Sequence, residues 1–468
     1  MKNITVIGLG VDGYDLPSVT HDLIKEHEVV VARTGEALSV KSLMKNYPNI
    51  ITLDSVYIKS RNFDTLNLNL AKEVLNLAKD KSVCYLVDGS ATEDNSVSLI
   101  LKRVKEAKVI AGVSHAVKCL ERLKITAPSY SLVTAYEISS ARLTAPLVVT
   151  AIDSAMLASE VKLTLSNRFG EECTVLISSN AGVKKIKLYE LDRLKQYDYS
   201  TCLYLADCPL EQKQRFDFDD LLEILNRLRA PNGCPWDREQ TEKTILKNVV
   251  EEAYELVDAV NQEDDDMIVE ETGDLILQSA FYTIFGEEDC RYNRYDILSG
   301  VCSKLISRHT HVFGGDKASV ADDALSVWNK NKIAEKGYDS ATEYLKAVPS
   351  SMPALMRAEK VGKRASKYGF DFACFEDAIK KFNEEVVELK NAKLSGDKNE
   401  IEKECGDVIF SAVNAVRLLG VDAELSLSRS VDKFISRFSR VEEKVTSSGK
   451  NLTDLTPDEL DGVYESVK

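Results

Sequence analysis

The hydrophobic period of this chain changes once, near residue 215, and no other feature constrains the fold as much. Before that point short β-branched runs alternate with helical patterns. They are "ITVIGLG" from Ile4, "EVVVA" from Glu28, "SVCYLVDG" from Ser82, "KVIAGVS" from Lys108, "APLVVTAI" from Ala145 and "CTVLISS" from Cys173. The alternation predicts an α/β domain with a largely parallel sheet, because strands buried on both faces read as continuous apolar runs. After it, strands almost vanish. Segments 217–229, 242–262, 266–285, 295–308, 320–336, 354–368, 374–394, 398–419 and 423–446 carry apolar residues three and four apart, the spacing of one helix face. A proline-containing stretch, "KAVPSSMPALM", separates two helical blocks near residue 350.

A chain of 468 residues is too long for one core, so several domains are expected. Its net charge of −15 argues against non-specific binding to nucleic acid or to an anionic membrane surface. A protein this acidic needs local cations, from Lys, Arg or metal, to handle an anionic substrate. No apolar run approaches the roughly 20 residues that span a bilayer, and the strand pattern from Ile4 leaves no room for a signal peptide. Ten cysteines occur singly with no C-x-x-C pair, which predicts reduced thiols and a cytoplasmic location. Neither Cys nor His clusters at zinc-ligand spacing, and His309 and His311 in "RHTHVFGG" read as helix-terminal residues.

The helical blocks repeat. "EEAYE" at 251–255 recurs as "EEVVE" at 384–388, and "ETGD" at 271–274 recurs as "ECGD" at 404–407, every acidic position being offset by 133 residues. An aromatic–Asp pair precedes each copy, Trp236-Asp237 and Phe370-Asp371. One acidic helix face is ordinarily a solvated face; two copies with matched internal spacing point to a duplicated functional unit. At about 100° per residue, Glu251, Glu252 and Glu255 share one sector, opposite Leu246, Val249, Ala253, Leu256 and Val260. Glu271 and Asp274 share a face at the head of the apolar stretch "GDLILQSAFY", as Glu404 and Asp407 do before "VIFSAVNAV". Carboxylates at least partly buried need a counter-charge. The positions three and four from Asp274 are Glu270, Glu271, Leu277 and Gln278, none of them cationic. Clustered hard oxygen donors suit Mg²⁺ or Mn²⁺, which neutralise a triphosphate. Antiparallel packing of the two helices would bring the carboxylates together, so nucleotide or pyrophosphate chemistry is the leading reading of the C-terminal half.

That half, about 217–468, closely resembles two tandem units of the MazG family of all-α nucleoside triphosphate pyrophosphohydrolases. The match rests on E-E-x-x-E followed by E-x-x-D, and on "LRAPNGCPWDREQT", "KLISRHTHVFGG" and "VPSSMPALMRAEKVGKRASKYGFDF". The resemblance implies Mg²⁺-dependent cleavage of nucleoside triphosphates to monophosphate and pyrophosphate, by helical units that associate as homodimers or higher homo-oligomers. It implies metal ligands at Glu252, Glu255, Glu271 and Asp274, then Glu385, Glu388, Glu404 and Asp407, with Glu251 and Glu384 as catalytic residues orienting water. Lys360, Lys363 and Arg364, with Lys367, are candidates to meet phosphate oxygens, against a merely solvated helix face. Trp236 or Phe370 is a candidate to stack a base, against core packing.

In the N-terminal half, "GLGVDG" spells G-x-G-x-x-G with Gly8, Gly10 and Gly13. A dinucleotide-binding helix should begin inside that motif, but Pro17 postpones the next helix to about Ser18. The stretch instead resembles the tetrapyrrole (corrin/porphyrin) methylase family, on "ITVIGLGVDGYDLPSVT", "YLVDGSAT", "VIAGVSHA" and "APLVVTAIDS". The resemblance implies an S-adenosylmethionine site at Gly8, Gly10, Asp88, Gly89, Ser90, Ser114 and Ala116. The loops depart from that family: Val11-Asp12-Gly13 stands where Pro-Gly is usual, Asp88-Gly89-Ser90-Ala91 lacks both prolines, and Ala111 replaces a proline. Because proline fixes loop shape, the departures predict altered cofactor binding or lost methylation. The expected architecture is therefore multidomain: an α/β tetrapyrrole-methylase-like domain at 1–212, then all-α MazG-type units at 216–338 and 345–468. The alternative is an S-adenosylmethionine-dependent methyltransferase with a regulatory helical half.

Overall fold

A computed structural model of the chain describes residues 3–60 and 62–468. It divides into two compact units, Met1–Arg294 and Tyr295–Lys468.

The first unit begins with β1 (Ile4–Gly8), α1 (Thr20–Glu26), β2 (Val29–Ala32), α2 (Leu38–Met44), β3 (Ile51–Thr52), α3 (Asp54–Lys59), α4 (Phe63–Leu77), β4 (Val83–Val87), α5 (Asn95–Arg103) and β5 (Lys108–Ile110). The five strands form an all-parallel sheet in the order β3-β2-β4-β1-β5. All five residues of β1 and all five of β4 are buried, because helices cover both faces. Leu23 and Ile24 of α1 and Val40 and Leu43 of α2 pack on Ile7, Cys84 and Leu86. Leu66, Leu70 and Val74 of α4 and Ile100 of α5 pack on Val6, Val83 and Tyr85. The first helix starts at Thr20, just after Pro17, whose carbonyl accepts the Thr20 N–H at 2.9 Å.

Next come α6 (His115–Leu123), β6 (Ser131–Thr134), β7 (Leu147–Thr150), α7 (Ala155–Phe169), β8 (Thr174–Ser179), β9 (Gly182–Lys187) and β10 (Cys202–Leu205). Here the structure departs from the single largely parallel sheet expected. These strands form a second sheet, β6-β7-β10-β8-β9, in which only β6 and β7 run parallel. Of the unpredicted strands, β9 reads "GVKKIK" and is mostly exposed, β3 has two residues, and β10, "CLYL", is apolar and buried but only four residues long. Short edge strands are paired by their neighbours rather than by pattern.

The unit ends in helices α8 (Phe218–Arg229), α9 (Pro235–Glu239), α10 (Leu246–Gln262) and α11 (Asp265–Glu288); Leu222 and Leu225 of α8 and Phe281, Ile284 and Phe285 of α11 share a core with Ile245, the residue before α10. The second unit, Tyr295–Lys468, holds α12 (Arg294–Arg308), α13 (Thr310–Phe313), α14 (Ala321–Lys336), α15 (Ala341–Lys346), α16 (Ala354–Ser366), α17 (Phe375–Ser395), α18 (Lys398–Leu418), α19 (Ala423–Ser447) and α20 (Pro457–Glu465). The nine helices expected from periodicity are all present, most within two residues of their expected ends and the rest within four. The short α9, α13, α15 and α20 were not expected, being too brief to show a period. Leu427, Val431, Phe434, Ile435 and Phe438 leave an exposed apolar stripe along α19.

Two helical hairpins, α10–α11 and α17–α18, are built alike. Each first helix ends on a residue with left-handed backbone, Glu263 (φ 56°) or Gly396 (φ 74°), and each second helix is capped by the next residue, Asp264 or Asp397. Glycine meets no Cβ clash in that conformation, whereas glutamate does. Glu263→Gly is therefore expected to stabilise the first hairpin by about 1 kcal/mol, read as roughly fivefold slower hydrogen exchange of its core amides. Gly396→Glu should speed exchange in the second hairpin.

Candidate metal centres on two helical hairpins

The two-residue turn returns each second helix alongside the first, and so sets E-E-x-x-E of one against E-x-x-D of the other. In the first hairpin, carboxylate oxygens of Glu252, Glu271 and Asp274 lie within 4.8 Å of one another. Glu271 is 9% exposed and Glu252 and Asp274 are half-buried. Burial, then the charges of Asp274 and Glu255, push the Glu252 carboxyl above its usual range. Burial, then Glu255, Glu270 and Asp274, do the same to Glu271. Glu255 thus stands close to both, from an exposed position. Gln278 donates from Nε2 to Glu252 at 3.4 Å, while its own Oε1 is buried without a partner. Glu251 lies outside this group and pairs with Lys247 at 2.7 Å.

In the second hairpin, Glu385, Glu404 and Asp407 converge within 4.8 Å, with Glu385 and Glu404 buried. Here two lysines enter the cluster. Lys381 Nζ lies 2.8 Å from Glu385 and 3.5 Å from Glu384, and Lys403 Nζ lies 2.8 Å from Glu404 and 3.9 Å from Asp407. Their hydrogen bonds to Glu385 and Glu404 hold both amines above the ordinary lysine range, so both stay protonated. Glu388 is exposed and close enough to act on the Lys403 charge. One oxygen of Glu404, Oε2, is buried without a partner. At the offset of 133 residues, the counterparts of Lys381 and Lys403 in the first hairpin are Asn248 and Glu270. Sequence reasoning missed these lysines although their signal was present: Lys381 stands four residues before Glu385, and Lys403 four before Asp407.

Other expected site residues have these surroundings. Arg364 is 9% exposed, donates to the Tyr344 carbonyl and lies over the Tyr344 ring, 4.4 Å from its centroid. Lys363 pairs with Glu359 one turn before it, and Lys360 is exposed. Trp236 is 59% exposed on α9, so the core-packing alternative fails there. His309 accepts its expected helix-terminal role, its Nδ1 lying 2.7 Å from the Leu305 carbonyl.

The positions assigned to S-adenosylmethionine do meet, at the carboxyl ends of β1, β4 and β5. Gly10 N–H donates to the Gly89 carbonyl at 3.1 Å and Gly89 N–H donates back at 3.0 Å. A Cβ on Gly8 would stand 1.9 Å from the Ala111 carbonyl oxygen, so backbone lies directly on backbone. The polar side chains are engaged within the fold. Asp88 holds His115 Nε2 at 2.7 Å and the Ser39 hydroxyl at 3.2 Å; Ser90 bonds Thr92; Ser114 caps α6; Ala116 is fully buried.

Comparison with known proteins places the hairpins in families. Residues 240–313 match the MazG nucleotide pyrophosphohydrolase domain, and 361–433 match phosphoribosyl-ATP pyrophosphohydrolase. The nucleoside triphosphate pyrophosphohydrolase of Escherichia coli K12 is 38% identical over 53% of this chain and 96% of its own length. Its Thermotoga maritima counterpart is 37% identical over 54% of this chain and 95% of its own length. Bacillus subtilis YabN is 31% identical over 99% of this chain and 98% of its own. The crystal structure of uroporphyrin-III C-methyltransferase from Thermus thermophilus is similar over 44% of this chain and 94% of that one, at 19% identity and a TM-score of 0.35. Relatives matched over nearly their whole length, together with the two domain matches, make this chain a member of the MazG family of nucleoside triphosphate pyrophosphohydrolases.

Proposed function

We propose that the protein hydrolyses nucleoside triphosphates to the monophosphate and pyrophosphate with the help of Mg²⁺ or Mn²⁺. The observation that carries this reading is the convergence of three carboxylates within 4.8 Å at equivalent places in both hairpins. The donor set fits a hard divalent cation, being all oxygen. The buried, unpartnered Gln278 Oε1 and Glu404 Oε2 support it, since such atoms are costly unless something fills them. Glu252, Glu255, Glu271 and Asp274 would hold one ion, and Glu385, Glu388, Glu404 and Asp407 another. Bound there, the ion supplies Lewis-acid neutralisation of phosphate oxygens. Glu251 and Glu384, at the edge of each cluster, are assigned to orienting the attacking water.

The two centres differ in what they offer a triphosphate. Uncompensated carboxylates repel it, whereas Lys381 and Lys403 can turn from their carboxylates to phosphate oxygens once a cation replaces them. We assign turnover to the second hairpin for that reason, and metal binding without efficient turnover to the first. The functional segments are taken as 1–212, 216–338 and 345–468. The exposed stripe of α19 favours homo-oligomers, since apolar faces of that kind are usually covered by a partner. Among the described residues no helix is long and apolar enough to cross a membrane, and a cytoplasmic location follows the reading of the cysteines. Methyl transfer is the weaker alternative. The Asp88, Ser90 and Ser114 side chains are satisfied within the fold and would have to give up those bonds to hold S-adenosylmethionine.

Pyrophosphate release should require Mg²⁺ and cease with EDTA. Glu385→Gln or Glu404→Gln is expected to cut kcat/KM by about 100-fold, and Lys403→Met to raise KM by roughly tenfold. Glu252→Gln should leave turnover within about tenfold of the parent; equal losses in both hairpins would refute the assignment. In EDTA, Glu271→Gln is expected to raise the thermal midpoint by relieving like charge. Glu404→Gln should lower it by stripping Lys403 of its partner. Calorimetric titration with S-adenosylmethionine should show no saturable heat.

A further inference from the structure

In a chain of net charge −15, one region of the second unit gathers cations instead. Lys332 on α14 is half-buried and has no hydrogen-bond or carboxylate partner among the described residues. Its Nζ lies 4.6 Å from the centroid of the Trp328 ring, and the Arg308 guanidinium lies 5.3 Å from the same ring. Burial, and then the charges of Arg308, Arg364, Lys360 and Lys367, hold the Lys332 amine below the ordinary lysine range. Lys367 reaches the group from the end of α16, its Nζ donating to Asn329 at 2.8 Å and to the Tyr344 hydroxyl at 3.4 Å. Among the described residues, the carboxylate paired with one of these five cations is Glu335, which takes Arg308 at 2.8 Å; Glu359 is taken by Lys363.

Like charges held together in a partly desolvated place are costly, and an anion removes the cost. We propose that Lys332 and Arg308, which lie over the Trp328 ring, with Lys367 bonded to Asn329 of the same helix, form a binding site for a polyphosphate anion of the pyrophosphate class, distinct from both carboxylate clusters. A compact anion of three or four charges matches the excess. A nucleic acid backbone is a poor match, because the rest of the chain repels it. Lys332 is free to bond phosphate oxygens without giving up a partner, and the rigid ring keeps its amine from collapsing onto a neighbour. The oxygens come from free pyrophosphate or from a triphosphate chain; both present the same chemistry.

Trp328 is its own reporter, because the chain has 2 tryptophans and the other is the exposed Trp236. In a Trp236→Phe background, with EDTA present and ionic strength fixed, titration with inorganic pyrophosphate is expected to change the fluorescence saturably. Lys332→Gln should weaken that binding by at least about tenfold, and Lys367→Gln by several-fold, with far-UV circular dichroism unchanged. No saturable change in the parent, or equal affinity in both variants, would overturn the site. Chelation keeps the outcome independent of the catalytic reading. With Mg²⁺ restored, a higher KM for triphosphate in Lys332→Gln assigns the oxygens to substrate. An unchanged KM with lost inhibition by pyrophosphate assigns them to the free anion.

Discussion

Charge compensation of buried carboxylates is the constraint on which the helical half turns. Glu271 and Glu404 sit at equivalent places, each on the inner face of a hairpin and each less than a tenth exposed. An ionised carboxylate in that position requires a cation or a proton. Among the described residues of the first hairpin no side-chain cation pairs with Glu252, Glu271 or Asp274, Lys247 being taken by Glu251, and burial and then the neighbouring carboxylates push the Glu252 and Glu271 carboxyls towards the protonated state. The second provides Lys381 and Lys403. One scaffold thus carries two solutions to the same electrostatic problem. Only the second pairs its buried carboxylates with lysine side chains.

Those clusters depend on the hairpin turn. Two residues, one left-handed and one an Asp cap, reverse the chain so tightly that acidic positions about 20 apart in sequence come within a few ångströms. The two turns reach the same geometry although one uses Glu263 where the other uses Gly396. Pairing of the helices tolerates a strained turn residue because the packing of each helix face, not the turn, supplies most of the stability.

The α/β half shows the opposite balance. Its glycines are required by close approach, at Gly8 against the Ala111 backbone and at Gly89, left-handed at φ 70°, against the His115 ring. What the motif supplies there is a tight junction of three strand ends. The side chains around it bond one another: Asp88 to His115 and Ser39, Ser90 to Thr92. A glycine motif records how near the backbone comes to something, and here that partner is the chain itself.

The helices, the repeat and the acidic positions of both clusters were legible in sequence, because apolar spacing and a constant offset of 133 residues are one-dimensional signals. So were the strands buried on both faces, β1 and β4 above all, which read as unbroken apolar runs. The second sheet was not, since β9 is exposed and β6 and β10 have four residues each, β10 pairing with β7 far back in the chain. Nor was the fate of the basic residues of α16. Arg364 looked like a phosphate ligand and lies instead on Tyr344, while Lys332, which no motif marks, stands among cations. A helical pattern states which face a side chain occupies, but only packing decides what that face meets. The chemistry of a charged group follows from the company it keeps there.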